Sequence, residues 1–246
     1  MFYHHMDPLH LLIMGVGLVL SLLASGFVRL RFNRGAKVAL RSARSGAQIA
    51  QAILRHEGIN DVTVHEHQGF LTDHYNPTNK TLNLSPDVFN GRSASAAGVA
   101  AHEVGHALQH ARGAKSMWMR TILVYPAHFG SMLGPFLVIG GIMLAGGRAL
   151  VPGSGAYMLA LLGVFGFGIA VVCSLAICFN EFNASARARV SLKSLGLICE
   201  GEEEDAVRGV LLAAGLTYVA SAINALMQLL YWAHKAGLLG GRSDRR

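Results

Sequence analysis

Long apolar windows alternate with short polar segments along this chain, and the windows exceed what a soluble core requires. Roughly 20 apolar residues cross a bilayer as a helix. Four charge-free windows reach that length: Leu9 to Val28, Arg120 to Arg148, Arg148 to Glu181, and Arg208 to Lys235, the bounding charges excluded. The first has no Lys or Arg before it and is followed by Arg29, Arg31, Arg34, Lys37, Arg41 and Arg44. Its core is too long for a cleavable signal, so it reads as a retained anchor. Gly209, Gly215, Asn224 and Gln228 weaken the last window as a span. That window is expected to cross, or else to lie at the interface or against the polar domain. Four crossings are the favoured count.

The polar segments carry shorter periods. Ser45–His56 has Ile49, Ala50, Ile53 and Leu54 at helical spacing, with Gly58 as the stop. Val62–Glu66 alternates like a strand, and Phe70–Tyr75 and Thr81–Leu84 flank Asn76-Pro77-Thr78-Asn79-Lys80, the pattern of a hairpin. Ser93–His110 predicts a helix of small residues, and Asn180–Leu195 another that stops at Gly196. Glu202, Glu203, Glu204 and Asp205 suit the first turn of a further helix, where the dipole favours acids. No internal repeat and no low-complexity tract is visible.

Composition narrows the class. Charged residues make up 14% of the chain and hydrophobic ones 52%, against about 25% charged in a soluble domain. Disorder is excluded by that hydrophobicity. Nucleic acid is not an expected partner of the net +7 charge, because no basic stretch is interleaved with aromatics. Three cysteines, two of them (Cys173 and Cys178) in one apolar run, exclude a disulfide scaffold. The positive charges instead set orientation. No Lys or Arg precedes Leu9, twelve lie between Arg29 and Arg120, one (Arg148) lies in the turn Gly146–Gly155, and four lie in Glu181–Arg208. The N-terminus is therefore expected outside and both longer polar segments in the cytoplasm. Lys235, Arg242, Arg245 and Arg246 would end outside if the last window crosses, against the rule.

The small-residue helix contains His102-Glu103-Val104-Gly105-His106, the HExxH pattern. Residues i and i+4 share a helical face, so both imidazoles can converge on one metal, with Glu103 in reach of a water bound there. With twelve His and eight Glu in the chain, chance supplies this pattern about 0.02 times. Two His leave a catalytic zinc one protein ligand short. The HExxHxxGxxH extension fails, because Gln109 and Arg112 stand where Gly and His are required. His110 is one turn past His106, and three ligands on one straight helix would splay too far apart to close a tetrahedron. After Glu103 no Asp or Glu occurs until Glu181, at the inner end of the third window. A charge at a span end calls for a partner or a ligand role. An even number of crossings, here two, returns the chain to the same face, so Glu181 is the leading third ligand.

Three spaced motifs carry a resemblance. They are Leu71-Thr72-Asp73-His74-Tyr75-Asn76-Pro77, Leu84-Ser85-Pro86-Asp87-Val88-Phe89 and Ala100 through Gln109 around the HExxH pattern. Together they resemble the YugP-like, membrane-bound neutral zinc metallopeptidases of bacteria. Glu181-Phe182-Asn183-Ala184-Ser185 is similar to that family's EFDAS element, and Leu216-Thr217-Tyr218-Val219 also matches it. The likeness runs from the anchor to about residue 232. It implies a gluzincin-type, zincin-like domain, distantly related to the HtpX class of membrane peptidases, with one zinc per chain. His102, His106 and Glu181 would be the ligands and Glu103 the catalytic residue. Asn183 departs from the family's usual Asp, so a carboxylate orienting a His ligand would be lost there.

The expected fold class is thus a mostly α membrane protein with a small α+β zincin-like domain and about four transmembrane or membrane-associated helices. Its parts are an anchor (9–30), a cytoplasmic zincin-like domain (31–120), a transmembrane hairpin (121–180), a third-ligand helix and linker (181–208), a fourth membrane helix (209–234) and a polar tail (235–246). The expected function is zinc-dependent endopeptidase action at the cytoplasmic face of the bacterial inner membrane, on peptide or membrane-protein substrates, in membrane-protein quality control. His74, Tyr75 and Tyr218 are candidate donors to the carbonyl oxygen in the transition state, with Asn183 and Ser185 as supports behind the ligands. Thr81, Leu82, Asn83 and Leu84 are expected to offer an edge strand to an extended substrate. The lipid bilayer is an expected partner, and a second copy or another membrane protein is left open. The rival reading is a non-catalytic zinc-binding scaffold or regulator of a membrane complex.

Overall fold

A computed structural model describes residues 7–113, 115–146 and 148–239. In chain order the elements are α1 (Pro8–Gly35), α2 (Gly46–His56), β1 (Thr63–Glu66), β2 (His74–Asn76), β3 (Thr81–Leu84), α3 (Pro86–Phe89), α4 (Ala94–Ala111), α5 (Lys115–Leu144), α6 (Gly155–Ser194) and α7 (Glu202–Lys235). The protein is a mostly α membrane protein with a small α+β portion, and α1, α5 (over Val124–Leu144), α6 and α7 are long and apolar enough to span. Two compact units emerge. One comprises the described residues of Met1–Ser21, Met119–Ile177 and Tyr218–Arg246, the other Leu22–Trp118 and Cys178–Thr217.

The second unit holds the α+β portion. α2 starts at a capping box, in which Gln48 N donates to Ser45 Oγ and Ser45 N donates to Gln48 Oε1. Its apolar face, Ile49, Ala50, Ile53 and Leu54, is buried, each large side chain contributing about 1.5–3 kcal/mol. Gly58, at φ +72°, takes the left-handed backbone that ends the helix cheaply. The sheet has the order β1-β3-β2. β2 and β3 form the expected hairpin, pairing Tyr75 with Leu82. β1 runs parallel to β3, pairing Val64 with Leu82.

That pairing corrects one expectation. Thr81, Leu82, Asn83 and Leu84 form the central strand, bonded on both sides, and offer no edge to a substrate. The parallel partner arrives through a long connection that hydrophobic alternation does not register. The strand expected over Phe70–Tyr75 is also shorter, restricted to His74–Asn76. Leu82 and Leu84 point into the core, beneath α4 residues Ala97, Ala100, Ala101, Val104 and Leu108. α6 runs unbroken through residues 180 and 181, so the expected boundary there falls inside one 40-residue helix. The acids Glu202–Asp205 do open α7, where buried Glu203 accepts from Arg41 N and Cys199 N at 2.9 Å each.

In the first unit, α5 and α6 form an antiparallel pair whose backbones touch through small residues. Gly130 lies against Gly166, Gly134 against Gly163 and Phe167, and Gly141 against Ala156 and Ala160. Met132, Phe136 and Met143 are exposed, as lipid-facing side chains would be. α7 lies antiparallel to α1. Asp7 pairs with Lys235 and accepts from Tyr231 Oη, the His10 ring meets Tyr231 and Trp232, and Gly17 makes room for the amide of Asn224. Asn224, which weakens the last window in sequence, is thus accommodated by a glycine of a neighbouring helix. Residues 240–246 of the polar tail, with Arg242, Arg245 and Arg246, lie outside the described residues.

Candidate metal centre

The site is built on α4 and α6, within the second unit. Ser93 caps α4, its Oγ accepting from Ala96 N. At Gly105 the two backbones approach directly: a Cβ there would sit 2.7 Å from the Ala184 carbonyl oxygen and 3.2 Å from its Cα. This close approach carries Glu181, one turn before Ala184, up to the histidines of α4. Gly105→Ala must therefore push the helices apart. The expected cost is about 1–3 kcal/mol of stability, with metal affinity reduced about tenfold or more. Thermal denaturation and metal content of the purified full-length protein measure both.

His102 and His106 present their Nε2 atoms to one oxygen of Glu181, Oε2, at 3.1 and 3.5 Å. The three donor atoms all lie within 4.8 Å of one another, and Glu181 and His106 are buried. Tetrahedral zinc, with bonds near 2.0–2.1 Å, needs ligand-to-ligand separations of roughly 3.3 Å. The two nitrogen-to-oxygen edges straddle that value.

The outer nitrogens explain how the rings are held. His106 Nδ1 lies 3.0 Å from Gln109 Oε1, an oxygen that only accepts, so Nδ1 carries the proton and neutral His106 has its lone pair on Nε2. The Gln109 amide is oriented in turn by its own Nε2, which donates to the Asn180 carbonyl oxygen at 3.2 Å and to Asn183 Oδ1 at 3.1 Å. His102 Nδ1 lies 3.1 Å from Ser185 Oγ. Both rings are thus tied on Nδ1 and turn Nε2 toward a carboxylate. Imidazoles held at Nδ1 with Nε2 aimed at a carboxylate are arranged as the ligands of a cation are, and the donor set suits zinc.

Asn183 does not orient a histidine directly. Its Oδ1 accepts from Gln109 Nε2 and, at 2.9 Å, from Arg187 Nε. Relative to Asp it keeps the acceptor and omits the charge, and the histidine support expected there comes from Gln109. Gln109 is the residue that sequence reasoning missed, although its place three residues after His106 puts both on one helical face.

Glu103, next to His102 on α4 and buried, accepts from Tyr75 N at 3.0 Å through Oε2. Tyr75 belongs to β2, and its phenol oxygen lies 2.8 Å from His110 Nδ1. Burial, reinforced by the negative Asp61, pushes the Tyr75 phenol above its ordinary pKa. Asp73, also missed in sequence, accepts from Ser85 N at 2.7 Å and from Ser85 Oγ, linking two of the spaced motifs. Burial pushes the Asp73 carboxyl above the usual range, the nearby Glu103 charge adding to the effect. His74 is exposed and engaged with the Thr72 carbonyl and Asn83. Tyr218 falls in the other compact unit. Ser185 is thus brought to the donor set, Asn183 reaches it through Gln109, and Tyr75 reaches Glu103.

A cavity of about 280 Å³ is lined by Phe182, Ser185, Arg189, Arg208, Leu211 and Leu212, so it adjoins the support of His102. Cavities of about 490 and 400 Å³ contain no residue of the donor set.

Known proteins give the family. The sequence model of the family described as "Putative neutral zinc metallopeptidase" matches residues 10–236. The chain is 41% identical over 211 residues to the "Putative membrane protease YugP" of Bacillus subtilis (strain 168), covering 86% of this chain and 89% of that protein. No solved structure matches it. With a family match over nearly its whole length and a relative of that similarity, the chain belongs to the neutral zinc metallopeptidase family.

Proposed function

We propose that this protein is a membrane-anchored, zinc-dependent endopeptidase that hydrolyses peptide bonds at the cytoplasmic face of the bacterial inner membrane. The observation that carries the reading is the convergence of His102 Nε2 and His106 Nε2 on Glu181 Oε2, with Glu103 between the two histidines on the same helix. His102, His106 and Glu181 would hold one zinc. Zinc, when bound, supplies the Lewis acidity that polarises the scissile carbonyl and lowers the pKa of its water toward neutrality. Ser185 and Gln109 hold the two imidazoles in orientation, and the Gln109 oxygen also favours the ligating tautomer of His106. Glu103 takes the proton of the attacking water on its carboxylate and delivers it to the departing amine. Its Oε2 is held by Tyr75 N, which leaves Oε1 for that proton.

Orientation follows from the cations: the segment from Arg29 to Arg120, which holds His102 and His106, has twelve, and the turn between α5 and α6 has Arg148. Membrane-protein substrates in quality control fit a site tethered at that surface.

The test is metal removal from full-length protein in lipid nanodiscs. The purified protein should contain about one zinc per chain and hydrolyse casein. A zinc chelator should lower the rate by at least about a hundredfold, with recovery on adding zinc. Zinc bound in full with no hydrolysis of casein or membrane-protein fragments would overturn the peptidase reading in favour of the scaffold.

A further inference from the structure

We infer that Tyr75 and His110 form a positioning pair that fixes the carboxylate of Glu103, an inference that rests on the peptidase reading above. Tyr75 is fastened to α4 at two points. Its main-chain N donates to Glu103 Oε2 at 3.0 Å, and its phenol oxygen meets His110 Nδ1 at 2.8 Å. Glu103 and His110 are seven residues apart on one helix, two turns along the same face. The two rings lie 5.8 Å apart at 54°, and Tyr75 is 8% exposed.

The strand that carries Tyr75 gives this side-chain anchor its importance. β2 has only three residues, pairs on one side with β3, and turns the Tyr75 N–H the other way, toward α4. So short a strand defines its own distance from α4 poorly. The phenol–imidazole contact supplies the second fixed point, and the main-chain donor between the two sides is then held against Glu103. Glu has three side-chain torsions to order, and one acceptor oxygen bound to a rigid donor removes much of that freedom. The other oxygen is left at a defined place for the water's proton. Displacing a reacting group by about 1 Å costs on the order of a hundredfold in rate. Neither Tyr75 nor His110 need touch the substrate.

Asp61, on the loop before β1 and paired with Lys80, places its negative charge near the phenol. The phenol is held in its protonated form by burial and by Asp61, so one hydrogen is always available to bridge Oη and Nδ1.

The test uses full-length, zinc-loaded protein and a quenched fluorescent peptide cut from casein. Tyr75→Phe keeps the ring, its burial and the main-chain donor, and removes only the hydroxyl. We expect kcat to fall about ten- to hundredfold, with KM and zinc content changed by less than about twofold. Amide exchange at Tyr75 should quicken in the same variant, a readout independent of turnover. His110→Ala should match it, His110→Gln should recover part of kcat because a carboxamide can still pair with the phenol, and the double variant should be no worse than the poorer single. Full kcat in Tyr75→Phe, a loss confined to KM, or single losses that multiply in the double variant would each overturn the pair. Glu103→Gln separates the two readings: if it is as active as the parent, proton transfer does not run through Glu103 and the mechanism read for this site fails with the pair. If it is inactive while Tyr75→Phe is fully active, only the pair fails.

Discussion

Glu103→Gln should keep its zinc and lose casein hydrolysis by about 10²–10⁴-fold in kcat. The substitution is nearly isosteric at a buried position, and the amide oxygen of Gln can still accept the Tyr75 N–H that now binds Oε2. Fold and metal site should therefore persist. A carboxamide has no affinity for a proton near neutral pH, so the step in which water loses its proton has no acceptor. KM should change little, because binding through the rest of the peptide is untouched. Zinc content by elemental analysis, together with kcat and KM, decides the matter. A variant that retains zinc and at least about a tenth of the parent's kcat would show that proton transfer does not run through Glu103.

How far such a site can be read from sequence depends on whether its parts are local. His102, Glu103 and His106 lie within two turns of one helix, so spacing alone places them on a common face, and the structure brings both imidazoles together. Glu181 is distant in sequence, yet no acid occurs between residues 103 and 181. Charge scarcity thus singles it out, and α6 carries Glu181 to the pair. Gln109 remained hidden because its orientation depends on the Asn180 carbonyl, a main-chain group delivered by another helix. Tyr75 was visible as a side chain, whereas what reaches Glu103 is its backbone N–H, which no residue type advertises.

The errors in the fold have a similar origin. Thr81–Leu84 alternates like an edge strand and is central, since its parallel partner β1 returns through nonlocal pairing. The helix expected over Asn180–Leu195 is present, but as the continuation of the apolar window through Glu181 in one helix, α6, that ends at Ser194. A single buried charge ends a hydropathy window without ending a helix, and a metal ligand is the kind of charge that does so.

The same dependence on one buried charge makes Glu181→Gln the counterpart of the Glu103 substitution. Two neutral imidazoles leave a bound zinc with its full double charge, and Glu181 is the one anion in the donor set. Burial at 1% exposure denies the ion compensation from solvent. Removing a partner behind a ligand typically costs 10–100-fold in metal affinity, so removing the anionic ligand itself should cost more than about a hundredfold. The variant should be purified nearly free of zinc and inactive. Stability supplies a second, activity-independent readout, because a metal that binds only the folded state raises the melting temperature in proportion to its affinity. Chelation should therefore lower the Tm of the parent and of Glu103→Gln, and leave that of Glu181→Gln almost unchanged. If Glu181→Gln holds zinc as tightly as the parent and its Tm falls equally on chelation, the third ligand lies elsewhere and α6 does not complete the metal centre.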